Sequence, residues 1–103
     1  MSILEKDMID IINIEGDKCI LIITDHLKWE GEHFTFLKDK INLYLHYLET
    51  GQVYLNTPDA KGKIMLIKLL CKFPPKKEDR VVLDKIKEAL CSNGMIFNYE
   101  VAI

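Results

Sequence analysis

Lys63-Ile64-Met65-Leu66-Ile67-Lys68-Leu69-Leu70-Cys71-Lys72-Phe73 is a strongly apolar run that Pro74-Pro75 brings to an end. Proline cannot donate to a ladder hydrogen bond, so the run reads as one strand closed at residue 73. What flanks it decides the fold. On the amino-terminal side, Glu32 to Thr50 places Phe34, Leu37, Ile41, Tyr44, Leu45 and Leu48 on one helical face, with Gly51 where a left-handed cap belongs. On the carboxy-terminal side, Glu78 to Cys91 turns Val82, Ile86, Ala89 and Leu90 inward and stops at Asn93-Gly94.

Further out, residues 8 to 14 and 19 to 25 are rich in β-branched residues and are joined by the polar turn Glu15-Gly16-Asp17-Lys18, the pattern of a β-hairpin. Met95 to Ile103 supplies a last strand. Residues 52 to 62 hold Asn56, Pro58, Asp59 and Gly62, which predict a surface connection with a short extended piece at Val53 to Leu55. The order is ββαβαβ. Strands separated by helices favour parallel neighbours joined by right-handed crossovers, and two crossovers progressing in one direction put both helices on one face. The expected fold is α/β (α+β): a two-layer sandwich with a four-stranded mixed sheet in the order 1-2-3-4 and two helices.

A chain of 103 residues supports a single domain spanning residues 1–103. Its hydrophobic share of 49% and charged share of 29% lie outside the range of disordered chains. A formal net charge of -2 with interleaved signs gives no broad positive field, so nucleic acid is not an expected partner. Glu5, Lys6 and Asp7 interrupt the amino-terminal segment, and no run approaches a bilayer-spanning length, so a cytoplasmic protein without a membrane partner is expected. Cys19, Cys71 and Cys91 sit among aliphatic neighbours and read as reduced thiols.

The segment Asp25-His26-Leu27-Lys28-Trp29-Glu30-Gly31-Glu32-His33 gathers two of the three histidines, the only tryptophan and several carboxylates between a strand end and a helix start. Ligands collect at the carboxyl ends of parallel strands, and histidine titrates near neutrality, so Asp25, His26, Trp29, Glu30 and His33 are the candidate ligand or acid/base residues. A structural motif accounts for the same residues. Asp25 then accepts backbone N–H bonds in the turn, Trp29 plugs the gap between sheet and helix, Glu30 and Glu32 complement the helix start, and His26 bonds a backbone carbonyl. The spacing matches no zinc pattern, no serine or cysteine has an obvious catalytic partner, and the isolated glycines form no phosphate loop. No catalytic residue, metal or cofactor is therefore expected.

The residues Asp25-His26-Leu27-x-Trp29, Glu32-His33, Lys40-Ile41-Asn42-x-Tyr44-Leu45, Glu49-x-Gly51-Gln52 and Pro58-Asp59-Ala60-Lys61-Gly62 give the chain a resemblance to a known group. It is similar to a family of uncharacterised small bacterial proteins classed as a domain of unknown function. The resemblance runs over nearly the whole chain and implies a bacterial origin, without any activity or ligand.

Apolar residues exceed what one core needs. If both helices lie on one face, the other face of the sheet would present Ile20, Ile22, Ile64, Leu66 and Ile96 to water. Phe36, Leu43 and Tyr47 form a second stripe on the first helix. Two-fold self-association through one of these surfaces is the expected cover, which makes the chain a non-catalytic, self-associating or protein-binding module. The alternative is a small enzyme or ligand-binding protein using the Asp25 to His33 segment.

Overall fold

The structure, a computed structural model, describes residues 11–101. Residues 8–10 of the expected first strand and 102–103 of the expected last one lie outside the described residues.

Strand β1 (Ile11–Glu15) and strand β2 (Lys18–Asp25) form an antiparallel hairpin in which Glu15 pairs with Lys18. Gly16 and Asp17 are thus a two-residue turn, and Gly16 takes φ 61°, the left-handed conformation that the first central position of such a turn requires. Helix α1 (His33–Glu49) leads through a short helix α2 (Gln52–Asn56) and a 3₁₀ turn (Pro58–Ala60) into strand β3 (Ile64–Cys71). Helix α3 (Lys77–Ser92) and strand β4 (Ile96–Val101) complete the described chain.

The sheet order is β1-β2-β3-β4, with β2 parallel to β3 and β3 parallel to β4. This is the expected mixed sheet. Its helical complement differs in one element: Val53 to Leu55 is helical rather than extended. The reason is packing, because one helical turn drives Val53 fully into the core while Asn56 reaches the Tyr47 hydroxyl with its amide, 2.9 Å away.

Period-two burial fixes the layers. Cys19, Leu21 and Ile23 of β2, Ile67, Leu69 and Cys71 of β3, and Phe97 of β4 are all inaccessible and share one core with Leu37, Ile41 and Tyr44 of α1 and Leu83 and Leu90 of α3. The Tyr44 hydroxyl, buried in that core, donates to the Ile22 carbonyl at 2.7 Å and ties α1 to β2. Helix α3 ends as its Asn-Gly sequence predicts: Gly94 takes φ 78°, its N–H donates to Cys91 O, and the Met95 N–H donates to Leu90 O, both at 3.0 Å.

Candidate functional site

Asp25 is the last residue of β2 and His33 the first of α1, so the loop between them runs across the carboxyl end of the parallel strands. Both side chains are buried. Asp25 Oδ1 accepts the Leu27 N–H at 3.0 Å, the bond that turns the chain off the strand, as the structural reading of the sequence expects. Asp25 Oδ2 meets His33 Nε2 directly, and His33 Nδ1 lies 2.9 Å from the Lys28 carbonyl.

A carbonyl only accepts, so Nδ1 carries a hydrogen. Two lone pairs cannot face each other at hydrogen-bonding distance, so a further proton lies between Nε2 and Oδ2. The imidazole is held at both nitrogens and has no free lone pair for a metal or a substrate proton. The backbone carbonyl partner that the sequence suggested for His26 belongs to His33 instead, because only His33 projects inward from the helix start.

Trp29 covers this pair. Its ring stacks on His33 with centroids 4.0 Å apart and planes at 28°, and its indole N–H donates to the Phe73 carbonyl at 2.8 Å. The Lys72 N–H donates to the Asp25 carbonyl at 2.8 Å, which joins the loops after β2 and β3 at a second point. Trp29 is thus the expected plug between sheet and helix. The His26 and Glu30 side chains are exposed, and Glu30 joins the group through its backbone, its carbonyl accepting the His33 N–H at 3.3 Å.

Cys71, opposite Asp25 in the β2–β3 register, is also buried. Burial, and secondarily the Asp25 charge, push its thiol up to about 12, and burial raises Cys19 as well. Thiolate nucleophiles need the opposite shift, so Cys71 lacks the lowered pKa of an activated thiol. Sequence reasoning did not single out Cys71 here. The signal was its place at the end of the apolar run, in line with Asp25 once the two strands are paired. No group of three or more metal-ligating side chains occurs among the described residues.

Along its full length, residues 1–103, the chain matches the model of a family of unknown function, DUF6572. The chain belongs to this family. No curated protein and no solved structure matches it. No helix among the described residues of this DUF6572 member is long and apolar enough to cross a membrane.

The candidate contact residues of the DUF6572 chain divide into two groups. On the outer sheet face, Ile20 and Leu66 are buried within the chain and Ile22 is half-buried, whereas Ile64 and Ile96 are 42% and 37% exposed. On α1, Tyr47 belongs to the chain's own core, and Phe36 and Leu43 pack against it half-buried. The stripe is largely consumed by folding, in part because α2, unforeseen in the sequence, supplies Val53 to the core and Asn56 to the Tyr47 hydroxyl.

Proposed function

We propose that this protein is a non-catalytic module that self-associates through the outer face of its sheet, in the reducing interior of a bacterial cell. The observation that supports this reading most is the adjacency of apolar residues at one end of that face. Leu66 pairs with both Ile20 and Ile96, and Ile64 lies two residues before it on the same side of β3. Among the described residues the helices share their core with the other face, and a second body laid on the outer face would bury Ile64 and Ile96. At the far end of the patch, Lys68 and Glu100 lie 3.5 Å apart and give a polar margin.

Face-to-face sheet packing about a two-fold axis places the same patch on both copies, which is the geometry that closes a dimer without further growth. The sealed Asp25–His33 pair argues against the enzymatic alternative, because a substrate has no route to either nitrogen of the ring. Sedimentation equilibrium at tens of micromolar tests the proposal. A mass of two chains is expected, and a mass near 12.0 kDa throughout overturns it.

A further inference from the structure

On the helical side of the sheet, α1 and α3 each follow a parallel strand and run in the same direction, and a groove of about 370 Å³ separates them. Its floor is Ile41 and Leu90, both buried, and Phe34 and Ile86 stand half-buried along its walls. Neither the Trp29 plug nor the core fills it. A volume of this size lies in the range of small-molecule sites, which combine a mainly apolar lining with a few polar groups that fix orientation.

The polar groups are Lys38 and Asn42, both exposed at the lip. They are one helical turn apart on α1, so their side chains are neighbours and can reach one small group together. Lys38 has no carboxylate within ion-pairing distance among the described residues. An ammonium and an amide donor beside an apolar trough complement an anion that accepts two hydrogen bonds and carries an apolar body. A cationic amphiphile is repelled by Lys38, and a neutral one leaves it without a counter-charge.

We propose that the α1–α3 groove binds an aliphatic monocarboxylate, its chain along Phe34, Ile41, Ile86 and Leu90 and its carboxylate at Lys38 and Asn42. The site lies on the opposite face from the proposed self-association surface, so its occupancy is measured whether the protein is a monomer or a dimer.

The test is titration with decanoate below its micellar concentration, followed by calorimetry and by amide chemical shifts. One decanoate per chain is expected, with the shifts confined to α1 and α3. Lys38→Glu should weaken binding about tenfold or more, the scale of one lost charge-assisted contact. Ile86→Trp, which fills the groove from a half-buried position, should abolish binding while thermal melting stays cooperative. Decanol should bind more weakly than decanoate, and decyltrimethylammonium should not bind. Unsaturable uptake with shifts spread over the surface overturns the proposal. So does decanoate affinity that Lys38→Glu leaves unchanged, or the absence of any binding by the unmodified protein.

Discussion

The indole N–H of Trp29 donates to the backbone carbonyl of Phe73, 2.8 Å away, across 44 positions of sequence. This bond and the stacking of the same ring on His33 make Trp29 the joint between the loop after β2 and the loop after β3. Trp29→Ala should therefore destabilise the fold by about 3 to 5 kcal/mol, the range for removing a large buried aromatic. Trp29→Phe keeps most of the packing but leaves the Phe73 carbonyl without its donor, for a smaller loss of about 1 to 3 kcal/mol. Urea unfolding of both variants checks the order, and equal losses would mean that the ring packing kept by phenylalanine contributes nothing beyond the hydrogen bond.

Removing one partner of the Asp25–His33 pair strands a buried polar or charged group. His33→Ala should cost about 3 to 5 kcal/mol, as breaking buried pairs usually does. In a double-mutant cycle, Asp25→Ala combined with His33→Ala should be far from additive, because the second substitution removes the group that the first left unsatisfied. Strict additivity would show that the two side chains are held independently.

Of the three cysteines, Cys91 is exposed, while Cys19 and Cys71 are buried. A disulfide-exchange reagent should modify one thiol in the native protein and all three after unfolding. The sign of the pH effect follows from Cys71. Its folded-state value is raised from 9.0 to about 12, so the unfolded chain gives up this proton first as pH rises. Stability from this group is fully present below pH 9 and should fall between pH 9 and about 12, with a smaller slope in Cys71→Ala. A Cys71→Ala variant with the alkaline slope of the unmodified protein would remove Cys71 as its source.

A β-carbon built on Gly94 meets no atom within 4 Å, yet the residue sits at φ 78°. Gly94→Ala should therefore cost about 1 to 2 kcal/mol through backbone conformation alone, and Gly94→Asn less, because asparagine tolerates the left-handed region. Thermal melts of the two variants should rank in that order.

For assembly, Ile64 and Ile96 are better probes than the Leu66 beside them, since Leu66 is already buried in its own chain. If the proposed dimer forms through this face, Ile64→Lys or Ile96→Lys should place a charge in a desolvated contact and split it while leaving the monomer folded. Lysine variants that keep the mass of two chains would move the contact off this face.

Strand β3 was legible as an apolar run closed by Pro74-Pro75, and the two long helices because burial imposes period 3.6 on α1 and α3, a period that survives in sequence. Helix α2 was not legible. Five residues ending in Asn56 carry too little periodicity, and the helix depends on a destination for Val53 that exists only once α1 and the sheet have met. Site membership was half legible. The Asp25 to His33 segment was located, but which histidine turns inward depends on the path of the loop, and His33 and Asp25 meet only after that path is fixed. The share of the α1 stripe left to solvent was likewise decided by α2.

Because the spatial order β1-β2-β3-β4 repeats the order of synthesis, each strand joins an edge that its predecessor has just created, and none must insert between two strands already paired. Assembly can then be vectorial: a nascent chain that has released residues through Phe73 already holds three paired strands and α1. The cost falls on β4, which joins last, so until it docks β3 remains an open edge on which a second nascent chain could pair in its place.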